Sequence, residues 1–354
     1  MKTVAFEQNS VAQQVHTLEN LSGEEDRKKL RRIKHILKSD EVNRLCKDIC
    51  NDKGFSDILA RDLKQIVQNE LCEPEDVCEL LEYIKENGGV FEVSDFFFGS
   101  ASSLLDADLF CKETLKFRDA LAHILPRMVK WSGKSGGKTD DGDGERALAV
   151  LIKSAYKLQG DTPGDIGIAD LDTCEQEVKG KTSRLSDNSN ASVSSVKGAL
   201  KKYLMGQGFA VSDKDFKKDG QYAWNFNKVG LSRLNDNAPS MGLDVADIIR
   251  VVLKSGFTRF DDDMIESFLT EEVNNNQIVN ITRFLRKFGK LEFAHYTIGN
   301  KFEKIIFINP DNLNFKIIED SDHFYSELEN GTIHQGCSLN WATGRDFSQQ
   351  YTLK

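Results

Sequence analysis

The 354-residue chain has no run of about 18 apolar residues, so the sequence offers no candidate transmembrane helix. Its first twenty residues, MKTVAFEQNSVAQQVHTLEN, hold no apolar stretch of the length a secretory signal needs. The expectation is a cytoplasmic protein with no membrane partner. Cysteine is sparse: the seven, at positions 46, 50, 72, 78, 111, 174 and 337, are too few and too scattered for a disulfide scaffold. Cys46 and Cys50 fall at helical spacing, and Cys72 and Cys78 fit no zinc spacing with a partner pair, so the thiols read as reduced and structural. There is no G-x-S-x-G elbow and no convincing Cys/His nucleophile pair, which argues against acyl transfer. No internal repeat is apparent.

A basic excess is also missing. The chain carries 47 Lys+Arg against 56 Asp+Glu, a net charge of −9, whereas a protein that coats nucleic acid is usually basic. Residues 125–205 are nevertheless slightly basic, and several of their acids are candidate metal ligands that a cation would neutralise. The charge therefore disfavours tight non-specific coating while permitting a local contact. With 39% hydrophobic and 29% charged residues the composition is that of a globular protein, long enough for two or three folding units.

Residues 1–125 read as a helical N-terminal domain. EEDRKKLRRIKHIL, from Glu24, places acid early and base late, as the helix dipole favours. DILARDLKQIVQNEL and PEDVCELLEYIKENGG continue the pattern, the latter opening on Pro74 and closing on Gly88-Gly89. Residues 132–144 (SGKSGGKTDDGDG) form a glycine-rich loop. Gly137-Lys138-Thr139 superficially resembles a phosphate-binding loop, but Ser132 stands where its first glycine belongs and no strand leads in. ERALAVLIKSAYKL, 145–158, reads as one buried helix. Two short strands follow, Asp165 to Ala169 and Cys174 to Lys179, joined by a turn near 170–173. Later segments read as helices at 244–254, 260–270 and 281–296 and strands at 304–308 and 314–318, with Trp341 and Tyr351 packed against the sheet.

The chemistry concentrates in 165–179. If Asp165 opens one strand of a hairpin and Glu177 lies near the end of its partner, two carboxylates meet. Period-two alternation then puts Lys179 on the face of Glu177. Two acids and an amine suit Mg²⁺, a hard cation that takes carboxylate oxygens and keeps water. Asp170, Asp172 and Glu175 crowd the same hairpin, leaving the register open, with Asp170 or Glu175 as alternative ligands after a slip.

A helix, an Asp strand and a Glu-x-Lys strand in this order resemble the PD-(D/E)XK, or restriction-endonuclease-like, nuclease superfamily. Gly164-Asp165 stands in place of the nominal Pro-Asp, and Pro163 lies one position earlier. GDGERALAVLI, GDIGI and EVKGKTSRL are similar to members found in tailed bacteriophages, with Gly180 and Arg184-Leu185 after the lysine. The resemblance implies an α+β fold with an α/β core, a mixed sheet flanked by helices. The nuclease domain would span 126–354, with an insertion at about 186–280. It also implies a phage or mobile-element DNA nuclease, acting as endonuclease or exonuclease. Asp165, Glu177 and Glu145 would hold Mg²⁺ (Mn²⁺ as a substitute), and Lys179 would orient the attacking water. Lys181, Arg184, Lys197, Lys201 and Lys202 are candidates for DNA backbone contacts. The N-terminal domain would serve a homodimer or a phage protein partner, in the host cytoplasm or on the virion.

The competing reading is a non-catalytic DNA-binding or virion-associated structural protein with the same fold. A helical interaction protein with incidental hairpin charges is a third. Tyr222, Trp224 and Phe226 alternate, a pattern that fills a small core more readily than it stacks bases. His295, between Phe293 and Tyr296, reads as a core histidine, and His323 and His334 have no spaced partners.

Overall fold

The computed structural model describes residues 24–53, 73–129, 144–158, 164–171, 175–180, 183–185, 191–217, 220–300, 302, 304–336 and 347–354. The expected helix at 57–71, the G-K-T at 137–139 and Trp341 lie outside them. Packing divides the chain into two units, Met1–Gly160 with Ile166–Asp172 and Asp311–Leu313, and Asp161–Asp165 with Thr173–Pro310 and Asn314–Lys354.

In the first unit, Val42, Leu45, Cys46, Ile49 and Cys50 recur at i, i+3, i+4, i+7 and i+8 and form a buried stripe on α1 (Glu24–Asp52). It packs against α2 (Pro74–Asn87), whose own stripe is Val77, Leu80, Leu81 and Ile84. The α2 boundaries follow from local chemistry. Pro74 sits where a helix leaves an N–H unbonded, and Gly88 caps the far end at φ +77°, its N–H donating to Ile84 O at 2.8 Å. Cys46, Cys50 and Cys78 are buried, Cys111 is exposed, and none of the four is in a disulfide.

Helices α3 (Val93–Phe98) and α4 (Arg118–Val129) follow, then α5 (Glu145–Leu151), every residue of which is buried. The expected single helix over 145–158 is corrected here: α5 ends at Leu151, and Ala155–Lys157 is a strand, β1. Long-range pairing explains the break. The N–H groups of Val90 and Phe91 both donate to Leu151 O, at 2.7 and 2.8 Å, and Lys153 N–H donates to Phe91 O at 3.0 Å. Those bonds use backbone groups that would have extended the helix. β1 runs antiparallel to β2 (Ile166–Ile168), with Tyr156 opposite Gly167. A Cβ at Gly167 would come within 2.4 Å of the Tyr156 ring, which lies across the glycine and would have to swing away from any larger residue.

The second unit holds a mixed sheet. β3 (Glu175–Lys179) pairs with its parallel neighbour through registers Glu177↔Ile305 and Lys179↔Phe307, and β4 (Ser183–Arg184) follows it in the chain. Next come α6 (Val193–Gly206), α7 (Lys228–Ser240), α8 (Val245–Gly256) and α9 (Asp262–Glu272). The hairpin β5 (Val273–Asn274) and β6 (Gln277–Ile278) turns on Asn275 and Asn276 at positive φ. α10 (Ile281–Asn300) then leads to β7 (Lys304–Ile308), the buried parallel partner of β3, and β8 (Phe315–Ile318) runs antiparallel to β7. Last come α11 (Ser321–Asn330), β9 (Ile333–Gly336) and β10 (Gln350–Leu353), and β10 lies between β4 and β9 in an antiparallel sheet.

The helices of 191–288 share one apolar core that includes Tyr222, Trp224 and Phe226, each at most 2% exposed. Those aromatics fill a core: Tyr222 and Trp224 rings lie 5.2 Å apart, and Phe226 lies 5.0 Å from Phe288. His295 is fully buried, with its ring 4.9 Å from that of Phe257. Tyr351 is buried on β10. Among the described residues no helix is long and apolar enough to cross a membrane.

Candidate functional site

Asp165 is held by the two peptide groups that flank Glu177. Its N–H donates to Gln176 O at 2.8 Å, and its carboxylate Oδ2 accepts the Val178 N–H at 2.8 Å. Gly164, just before it, has φ +80°, and a Cβ there would stand 2.8 Å from Gln176 O. Glycine is therefore what lets the Asp165 turn sit down on β3. Among the described acids of this stretch, Asp165 bonds the β3 backbone through its carboxylate, at the Val178 N–H. Asp170 accepts the Ser154 hydroxyl in the first unit, Glu175 is half-buried at the start of β3, and Asp172 lies outside the described residues.

Alternation along β3 puts Glu177 and Lys179 on one face. Glu177 Oε1 receives Lys179 Nζ and also the Tyr296 hydroxyl, the latter at 2.5 Å. Lys179 Nζ stands 4.9 Å from the centroid of the Tyr296 ring, within cation–π range. The side chains of Glu177 and Lys179 are 10% and 16% exposed. A pair this desolvated stands only if its remaining hydrogen-bond capacity is used, and Tyr296 uses part of it. Tyr296 was not legible as a site residue in the sequence. It reaches β3 from α10, more than a hundred residues along the chain, and nothing local marks it.

The other candidates are distributed. Glu145 opens α5 in the first unit, where it is buried. Arg184 lies on β4 and donates through a guanidinium nitrogen to Ser348 O at 2.8 Å, so part of its donor set is spent inside the fold. Lys197 and Lys201 lie one turn apart on α6 and face Asp213 Oδ1 at 3.9 and 3.8 Å, while Lys202 is exposed. Lys181 lies outside the described residues.

A second carboxylate sits one helical turn before Tyr296. Glu292 is fully buried, its Oε1 accepting the Gln349 N–H at 2.7 Å and its other oxygen the Tyr351 hydroxyl. Burial pushes its carboxyl up to about 8, against the opposing influence of those two hydrogen bonds and of the Arg184 charge. In sequence it reads as an ordinary helix-surface acid.

Among the described residues, no three His, Cys, Asp or Glu side chains converge as a group that could hold a metal ion. The donor set at β3 is the pair Asp165 and Glu177. Two carboxylates are the number through which a hard cation such as Mg²⁺ is commonly bound, water and substrate oxygens supplying the rest. The pair does not fit an ion caged by protein alone.

Comparison of the chain with models of protein families, with curated proteins and with solved structures finds no match.

Proposed function

We propose that the second unit carries a metal-dependent nuclease site of the PD-(D/E)XK type, hydrolysing phosphodiester bonds of DNA. The observation that carries this reading is the attachment of Asp165 to the peptides on both sides of Glu177, with Lys179 on the Glu177 face. It brings the three residues of the D…E-x-K pattern together through backbone bonds rather than chance surface proximity. Asp165 and Glu177 would hold Mg²⁺, which supplies Lewis-acid stabilisation of the charge that builds up on the phosphodiester. Lys179 orients the attacking water, its ammonium steadied by Glu177 and the Tyr296 face. Tyr296 in turn fixes the Glu177 carboxylate. Lys197, Lys201 and Lys202, along α6, are the side chains proposed to follow the DNA backbone, and a phage or mobile element is the proposed source.

The test is cleavage of supercoiled, linear, branched and single-stranded DNA in Mg²⁺ or Mn²⁺, with Glu177→Ala and Lys179→Ala beside the parent. Loss of all cleavage in both variants, with native circular dichroism, is the expected outcome. Equal cutting by parent and variants refutes the assignment. The second reading, a non-catalytic DNA-binding or virion-associated protein, draws on the Lys179–Glu177 contact, which occupies both side chains inside the fold. On that reading no DNA in the panel is cut, and Mg²⁺ leaves the thermal midpoint unchanged.

A further inference from the structure

Beside the Glu292 network, a cleft of about 200 Å³ lies among α7, α10, α11, β9 and Gln349 just before β10, all in the second unit. Phe226 and Leu328 contribute apolar wall, and the titratable lining is entirely basic: Lys228 on α7, Arg286 on α10 and His334 on β9. None of the three makes an ion pair among the described residues. Three cation-forming side chains around one cavity with no acid among them give it an anion-attracting character.

Just beneath the cleft surface lies an unspent donor. Gln349, 1% exposed, lines the cleft. Its backbone N–H goes to Glu292 Oε1, and its side-chain Oε1 accepts from Gln335 Nε2. Gln335 Nε2 also donates to Leu285 O at 2.6 Å, so both of its hydrogens point at acceptors. This sets which way round the Gln349 amide lies, with Oε1 toward Gln335. Gln349 Nε2 is left buried, without a hydrogen-bond partner among the described residues. A buried donor held in place with nothing to bond is a costly arrangement that a ligand oxygen would relieve.

We propose that this cleft binds a small organic anion, whose phosphate or carboxylate oxygens are taken by Arg286, Lys228 and His334 and, once a turn of its side chain uncovers it, by Gln349 Nε2, while its apolar body lies against Phe226 and Leu328. The site shares no residue with Asp165, Glu177, Lys179 or Tyr296, so it stands or falls apart from the nuclease reading.

The experiment is isothermal titration of the full chain with adenosine 5′-monophosphate, benzoate and inorganic phosphate, repeated on Arg286→Gln and Gln349→Glu. The glutamate keeps an acceptor for Gln335 while turning the buried donor into an acceptor. The expected result is saturable binding of one organic probe with Kd at or below about 1 mM, the tighter of the two distinguishing phosphate from carboxylate chemistry. Each variant should weaken it by about tenfold or more. If Gln349→Glu fails to fold, Arg286→Gln at its half-buried position on α10 still decides the matter. Three results overturn the proposal: no saturable binding of any probe, affinity unchanged in the folded variants, or inorganic phosphate binding as tightly as both organic probes.

Discussion

Two glutamates in the same unit show how differently one fold can hold a carboxylate. Helix α10 supplies both settings, offering the Tyr296 hydroxyl to Glu177 and, one turn earlier, Glu292 to the Tyr351 hydroxyl. Glu177 also has Lys179 in contact and keeps some exposure to solvent. Glu292 is sealed, and no lysine or arginine forms an ion pair with it among the described residues. Burial pushes it up to about 8, so at neutral pH it is mostly the uncharged acid. A neighbouring cation and some exposure set the first carboxylate apart, and their absence makes the second a lock between α10 and β10.

That contrast is testable, and its largest effect lies at Glu292. The folded-state pKa is raised from the ordinary 4.5 to about 8, so the folded chain keeps a proton that the unfolded chain releases. Stability therefore falls as pH rises through that window and levels off above it, by an amount on the order of 5 kcal/mol. Glu292→Gln keeps the shape and an acceptor for Gln349 and should abolish the slope. Urea denaturation of parent and variant across the window measures it, and an unchanged slope in the variant would trace it to another group.

The next effect compares one chemical change at both sites. Tyr351→Phe removes a hydrogen bond from a sealed carboxyl and should cost about 1–3 kcal/mol. Tyr296→Phe removes one from Glu177, which water and Lys179 partly compensate, and should cost roughly 1 kcal/mol or less. The same denaturation series ranks them, and the reverse order would undo the distinction between open and sealed. Tyr296→Phe should also reduce any DNA cleavage while Tyr351→Phe, in the folded fraction, leaves it alone.

The smallest effect concerns Gly289, one turn before Glu292 on α10. A Cβ there would meet Leu328 Cδ1 at 2.9 Å, the Tyr351 hydroxyl at 3.1 Å and Gln335 Nε2 at 3.3 Å. Gly289→Ala gains helix propensity of about 1 kcal/mol and loses about as much or more to crowding of the lock. A net change near zero or mildly destabilising is expected from thermal melts, and a clear stabilisation would mean the network yields easily.

What was legible in the sequence was what neighbours in the chain decide. The caps of α2 at Pro74 and Gly88, the buried run of β7, and Glu177 and Lys179 on one face of β3 depend on residues within a turn or a strand of each other. The mixed α/β character follows from the same signals. The end of α5 was not legible because Val90 and Phe91 take the Leu151 carbonyl from far away in the chain. Tyr296 and Glu292 were missed for a related reason: a helical Tyr or Glu acquires a partner only once α10 has been laid against particular strands. Asp165 lies between these cases. Its residue type and place in the chain pointed to it, while its register against β3 awaited the Gly164 turn.

The parallel pairing of β3 with β7 has a consequence for how the molecule is made. Glu177 lies beside Ile305, and the helices of 191–288 come between them in the chain. A ribosome adding roughly 5–20 residues per second releases β7 on the order of ten seconds after β3. Through that interval β3 lacks its β7 neighbour, and Tyr296 emerges only shortly before that neighbour does. Chains arrested before Lys304 should therefore be cut by protease around β3, whereas full-length chains should resist. The setting of Glu177 and Lys179 is thus completed by α10 and β7, ahead of the Glu292–Tyr351 contact, which waits for β10.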